Sequence, residues 1–425
     1  MKQTITLKPR PYLMVNKIQP YAWGSRGKDA FIPRFLGIEV EADRPFAELW
    51  MGVHPNAPSD VILDGSPVSL RQLISRNPLE ILGQEVFDKF SGTLPFLFKV
   101  LSAAQVLSIQ VHPNKEQARS LHARDPEHYP DDNHKPEIAI ALDSLTALVG
   151  FKRFSGVVQT LEEYPELAGF IGPDVHRELR SAQGLSYPEQ RELVRLMYST
   201  LVRRSISHGE ELVESIAQLE KRLRETPDTL KEEERIFLDL RRTYTGADVG
   251  LFSIFLLNLV HLEQGQGMFI KAGIPHVYVR GNIVECMANS DNVVRAGLTP
   301  KFKDIETLVE ILTYELGPVP VLEGRPDLDK VVYRTPATEF QVSRWKVEPG
   351  AGIVEATGNR PRILLVTRGE ILVSWESVPG SSGETGQPFH RGQSILIPAC
   401  LEEFQVTSMS PAELFTVQVP PPRPR

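Results

Sequence analysis

Cysteine is nearly absent: the 425 residues include two, Cys286 and Cys400, far apart and in neither metal-binding nor redox spacing. That scarcity argues against a disulfide scaffold and fits a reducing compartment. Long apolar runs are missing too. The most apolar window, 249–260, is broken by Ser253 and Asn258 and is shorter than the roughly 20 residues needed to span a bilayer. The first residues, MKQTITLKPRPYLMVN, lack the apolar core of a signal peptide and the Arg/Ser richness of a transit sequence. A cytoplasmic protein with no membrane role is expected. Positive charge is not in excess: 47 Lys and Arg against 54 Asp and Glu leave a net −7, which opposes binding to nucleic acid or an anionic membrane. No Walker-type loop and no strand-borne G-x-G-x-x-G occurs, so nucleotide use is not expected.

What is present reads as a soluble globular composition, 41% hydrophobic and 24% charged, in a chain long enough for two or three domains. From 1 to 151 short β-type runs alternate with Pro, Gly and Asn, interrupted by a helical piece near Ser69 to Ile81. Between 152 and 248 the texture turns charged and helix-favouring. Ser207 to Glu210 reads as a capping box, followed by Leu212, Ile216, Leu219 and Leu223 at helical spacing. This insertion is expected to be structural. Strand-like sequence resumes over 249–321, where strand, Gly-rich turn and short strand have the rhythm of a small β-barrel. Ile305 to Leu316 reads as a short helix and Gly317 to Val321 as a linker. From 322 to 425 the chain is again all β, with Ile363 to Trp375 read as a hairpin. Gly392 to Pro398 echoes Gly267 to Pro275, which suggests a second, related barrel. It has no histidine at ligand-like spacing, so it is expected to be structural and without metal.

Chemistry concentrates in two places. In Val106 to His112, period two puts Ser108, Gln110 and His112 on one face of an otherwise apolar strand. The loop Tyr129-Pro-Asp-Asp-Asn-His-Lys-Pro-Glu137 then leads into an apolar strand, with Lys135 and Glu137 aligned. Far downstream, His276 to Val279 reads as a strand, Arg280 to Asn282 as a turn, and Ile283 to Met287 as a returning strand carrying Glu285. A carboxylate among apolar neighbours is costly unless paired or coordinated. Gln110, His112, Glu137 and His276 together supply two imidazoles, a carboxylate and an amide oxygen. That set suits zinc, manganese or iron(II) with room for substrate oxygens, and the lack of thiolates argues against a closed structural zinc site. Arg295, Lys135 and Lys99 add cations suited to an anionic substrate in an otherwise acidic chain. A Lewis-acid metal beside a base and a cation is equipment for moving a proton next to a carbonyl.

The chain resembles the type I phosphomannose isomerases, a zinc-dependent cupin family. The resemblance rests on Tyr129 to Glu137 and His276 to Lys301, with further similar blocks at Tyr21 to Gly24, Glu48 to Gly52 and Ser108 to Lys115. It implies a mainly β fold with a helical insertion: two cupin-type β-barrel (jelly-roll) domains plus an α-helical domain. The expected division is 1–151 and 249–321 for a catalytic barrel, 152–248 for the insertion, and 322–425 for a C-terminal barrel without metal. It also implies one zinc ion per chain on Gln110, His112, Glu137 and His276, with Arg295 as the catalytic arginine. Ser108, Lys135, Glu285, Asp291 and Lys301 would line the pocket, with Lys99 and His134 nearby.

The implied reaction is the interconversion of mannose 6-phosphate and fructose 6-phosphate through a cis-enediol, supplying mannose 6-phosphate for GDP-mannose synthesis and glycosylation or for mannose catabolism. Glu285 is the candidate shuttle base, Lys135 its assistant, and Asp291 or His134 aids ring opening. Ser108, Lys99 and Lys301 are candidate contacts to the sugar phosphate, and a monomer is expected. Two rivals remain at this level: a non-catalytic sugar-binding cupin that keeps a metal, and an iron-dependent cupin oxygenase.

Overall fold

Two unusually long strands, Glu137–Phe151 and His276–Ala288, pair antiparallel along most of their length and form the spine of a ten-stranded sheet. Both are rich in β-branched and small apolar residues and almost wholly buried, as strands covered on both faces must be. In the computed structural model, which describes residues 7–40, 43–182, 184–327, 330–376 and 385–422, the sheet continues from His276–Ala288 to Phe96–Ala103 and Glu48–Met51. Ile109–Val111 pairs with both His276–Ala288 and Val294–Gly297. A nine-stranded sheet joins C-terminal strands to Tyr12–Val15, Asp60–Leu63 and Ser66–Ser69, and a four-stranded sheet lies between Gly352 and His390 and at Glu403–Thr407. The architecture is mainly sheet, with the longest helices between Phe154 and Leu240 and short ones elsewhere, among them Leu70–Arg76 and Lys115–Arg124.

Those helices form for local reasons. The helix Tyr187–Ser207 opens on Ser186, whose backbone N–H and hydroxyl both donate to the Glu189 carboxylate three residues on. In Gly209–Arg224 the buried side chains are Leu212, Ile216, Leu219 and Leu223, one stripe at helical period. Acidic Glu210 and Glu211 begin that helix, and Lys221, Arg222 and Arg224 end it, complementing its dipole. The stripe packs into the same apolar cluster as Val149, Phe151 and Phe255, so the helices brace the strands that carry the site.

Several local expectations need correction. Ser207 ends one helix and caps nothing; the next helix has His208 at its N-cap without a side-chain cap bond. The helix after Thr299 stops at Ile311; Gly317 to Pro320 is free of helix and strand, as expected of a linker, but its last residue, Val321, already begins an edge strand, Val321–Leu322, on Gly267–Ile270. Arg362–Arg368 and Glu370–Ser374 do not pair as a hairpin: the chain turns at Gly369, with φ +75°, and passes from one sheet to another.

The largest correction concerns Arg280 to Asn282, which is not a turn. His276–Ala288 is one strand with irregular register: Tyr278 lies opposite Ala147 and Arg280 opposite Thr146, leaving Val279 as an extra residue. Such a bulge shifts the alternation by one. His276 and Tyr278, at even positions, therefore reach the same cavity as Glu285, at an odd one. Gly281 follows at φ +134°, where a Cβ would lie 2.1 Å from the Ser144 carbonyl oxygen, so glycine is required by both conformation and space.

Candidate metal centre and active site

The sheet register assembles the site. Gln110 stands opposite His276 on one side and Arg295 on the other, and directly opposed residues in antiparallel strands project to the same face. One row across three strands thus carries a guanidinium, an amide and an imidazole. Glu137, at the start of its strand, completes the group: its Oε1 lies 3.4 Å from His112 Nε2 and its Oε2 lies 3.4 Å from His276 Nε2. His112, Glu137 and His276 are all buried, with ligand atoms within 4.8 Å of one another.

The tautomers follow from the outer hydrogen bonds. His112 Nδ1 lies 2.9 Å from the Asn292 carbonyl oxygen, and His276 Nδ1 lies 3.1 Å from that of Ile274. A carbonyl only accepts, so each Nδ1 carries the proton and each Nε2 turns a lone pair inward. Asn292 is itself fixed, donating to the carbonyls of Asp131 and Asn133. Burial pushes the His112 imidazole down to about 4, keeping it neutral. Burial would push the Glu137 carboxyl up, but the Lys135 ammonium beside it holds it below the usual carboxylate range. His112 Nε2 is buried without a hydrogen-bond partner. Two inward imidazole lone pairs and a carboxylate converging on one point fit a borderline divalent cation such as zinc, and Gln110 offers a fourth, neutral oxygen.

Around this cluster a cavity of about 60 Å³ is lined by Gln110, Lys135, Glu137, His276, Lys99 and Glu285, among others. Lys135 Nζ lies 3.3 Å from Glu137 Oε1. Lys99 and Glu285 are direct cross-strand neighbours and form an ion pair of 2.5 Å, while Glu48 sits 3.6 Å away on the other side of Lys99. Burial opposes the Lys99 charge, but Glu285 and Glu48 overcome it and raise the ammonium's pKa above its ordinary value. Replacing Lys99 by Met leaves two buried carboxylates, Glu48 and Glu285 on separate strands, without their shared cation. The expected loss is about 3 to 5 kcal/mol of stability, read from urea denaturation; a loss under about 1 kcal/mol would contradict a net requirement for the cation.

The remaining sequence-derived residues are placed differently. Arg295 is half-buried, and burial lowers its pKa; no carboxylate pairs with it among the described residues. Ser108 is half-buried at the approach to Gln110, and Lys301 is exposed. Asp291 pairs with buried His54 (3.2 Å) and accepts from Asn56. His134 Nε2 lies 2.8 Å from Glu339 Oε1, a buried carboxylate contributed by the C-terminal part of the chain.

Three residues that contact the candidate site residues escaped sequence reasoning. Glu48 lay within a motif block without an assigned role, and Tyr278, whose hydroxyl donates to Glu285 Oε1 at 2.8 Å, was hidden in a strand alternation. Glu339 had no local signal at all. Glu339→Ala is expected to lower turnover about tenfold by freeing His134, with metal content unchanged. Unaltered kinetics in that variant would reduce Glu339 to a structural contact.

Fold and site together define a mainly β protein with a buried metal-binding group of two histidines and a glutamate beside an arginine. Residues 12–154 match the family model for the phosphomannose isomerase type I catalytic domain. The mannose-6-phosphate isomerase of Rattus norvegicus is 38% identical over 410 residues, covering 92% of this chain and 94% of that protein. That of Ogataea parapolymorpha is 39% identical over 381 residues, covering 85% and 88%. Among solved structures, a zinc-bound mannose 6-phosphate isomerase superposes with a TM-score of 0.82 at 32% identity, covering 96% of this chain and 98% of the other. A point mutant of phosphomannose isomerase from Salmonella typhimurium gives 0.83 at 32% identity, with the same coverage. The chain belongs to the type I phosphomannose isomerase family.

Proposed function

We infer that this protein is an aldose-ketose isomerase that interconverts D-mannose 6-phosphate and D-fructose 6-phosphate. The observation that carries the reading is the row Arg295, Gln110 and His276 across adjacent strands, closing on the His112, Glu137 and His276 cluster. Gln110, His112, Glu137 and His276 hold one zinc ion. When bound, zinc supplies Lewis-acid polarisation of the C1 and C2 oxygens.

The chain's own residues do the rest. Glu285, paired with Lys99 and oriented by Tyr278, carries the proton between C1 and C2, and Lys135 assists from beside Glu137. Among the described residues no carboxylate pairs with Arg295, and its planar donors stabilise the negative charge of the cis-enediolate. His134 and Asp291 serve ring opening, each steadied by a partner, Glu339 and His54. Ser108 and Lys301 take the outer contacts to the sugar phosphate, while Lys99, buried between Glu285 and Glu48, faces the sugar from the inner cavity. The cavity beside the cluster is too small for a whole hexose phosphate, so the phosphate end lies toward the more exposed residues.

In this reading residues 1–151 and 249–321 make a cupin-type catalytic barrel, 152–248 the helical insertion, and 322–425 a second cupin-like barrel without metal. The protein acts as a cytoplasmic monomer. Among the described residues no helix is long and apolar enough to cross a membrane.

The test is a coupled assay of mannose 6-phosphate conversion with metal analysis. Zinc-loaded protein converts the substrate, chelation abolishes conversion, and added zinc restores it. Zinc-loaded protein that binds the sugar phosphate without turnover would instead be the non-catalytic sugar binder.

A further inference from the structure

We propose that one face of the C-terminal sheet carries a second ligand site that takes a small phosphorylated polyol. Four neighbouring antiparallel strands build it: Lys330–Tyr333, Gln341–Val347, Ala412–Gln418 and Arg362–Arg368. Their register sets Lys330 opposite Trp345, Val332 opposite Ser343, Ser343 opposite Thr416, and Gln418 opposite both Gln341 and Arg362. These side chains therefore share one face. At one end of that face Trp345 and Leu364 enter a dry cluster with Ile353 and Phe404. At the other end the same face lines a cavity of about 780 Å³, walled by Pro420 to Pro422 and by Lys89. That volume falls in the roughly 300 to 1,000 Å³ usual for small-ligand pockets.

The charge of the cavity is unbalanced. Lys330 and Arg362 share a single carboxylate: Glu355 Oε2 lies 2.6 Å from an Arg362 terminal nitrogen, and its Oε1 meets Lys330. Lys89 and Arg334, both exposed, add two more cations at the rim, and among the described residues no second carboxylate lines the cavity. Four cations thus face one anion in a protein whose net charge is −7. Arg362 is only 5% exposed, and its Nε has no hydrogen-bond partner; the indole N–H of fully buried Trp345 has none either. Unmatched buried donors are destabilising, and a dianionic phosphate supplies both acceptors and the negative charge that a single carboxylate leaves short. Ser343, Thr335, Thr416 and Gln341 offer the hydroxyl and amide groups that recognise polyol oxygens. None of the lining residues belongs to the catalytic cavity.

Isothermal titration of the zinc-loaded full chain with sorbitol 6-phosphate, a hexitol phosphate that cannot isomerise, tests the site. Two binding events per chain are expected. Lys330→Met, which leaves Glu355 and Arg362 as a one-to-one pair, weakens one event at least tenfold without changing turnover. Arg295→Ala retains that same event while weakening the other. Inorganic phosphate binds the site at least tenfold more weakly than the hexitol phosphate. A single event in the unmodified chain, or two events that both survive Lys330→Met, overturns the site. Equal affinity for inorganic phosphate overturns the polyol assignment.

Discussion

His276→Ala lowers turnover of mannose 6-phosphate by about 10³-fold, roughly 4 kcal/mol of transition-state stabilisation, and releases the metal. The imidazole has no substitute: its Nδ1 is tied to the Ile274 carbonyl and its Nε2 faces Glu137, so alanine removes one of two inward nitrogen lone pairs. The remaining carboxylate and imidazole hold a divalent ion poorly, and Glu137 is left beside Lys135 as a simple ion pair. The variant is measured by coupled assay together with metal content per chain and circular dichroism. Full activity would remove His276 from the ligand set. Loss of activity with metal retained would separate binding from catalysis and sink the assignment just as firmly.

Arg295→Ala produces the second large effect, a fall of about 10² to 10³ in kcat, with metal content and stability near those of the unmodified chain. The contrast with His276 follows from the contacts. Arg295 has no carboxylate partner among the described residues, so truncation strands no buried ion. Its strand position opposite Gln110 is a backbone property that alanine keeps. Arg295→Lys restores only part of the rate, because a point charge cannot reproduce the planar fork. A kcat within threefold of the unmodified chain for Arg295→Ala would exclude charge stabilisation by the guanidinium. A change confined to KM would assign it to substrate binding instead.

Much of the site was legible because its residues lie in two dense blocks. Ser108 to Glu137 and His276 to Arg295 each mix histidine, carboxylate and cation with apolar strand residues, and buried polar groups in such settings call for partners. Helical period likewise marked Leu212, Ile216, Leu219 and Leu223, all of which are buried. Local reading failed where structure depends on distant strands. Ser207 to Glu210 has the composition of a capping box, yet Ser207 ends the preceding helix. Ile363 to Trp375 has the pattern of a hairpin, but each half finds better partners in a different sheet.

The sequence by itself determined the chemistry: which donors, which cations and which carboxylates were present, and the strand and helix periods that carried them. Tertiary structure alone decided which of them meet. A bulge at Val279 reset the side-chain parity so that His276, Tyr278 and Glu285 enter one cavity, and no sequence period encodes such an offset. Strand register set Gln110 between His276 and Arg295. Glu339 reached His134 across 205 residues of chain. These are pairings between segments remote in sequence, and their geometry is fixed by the packing of whole sheets, which local propensity does not contain.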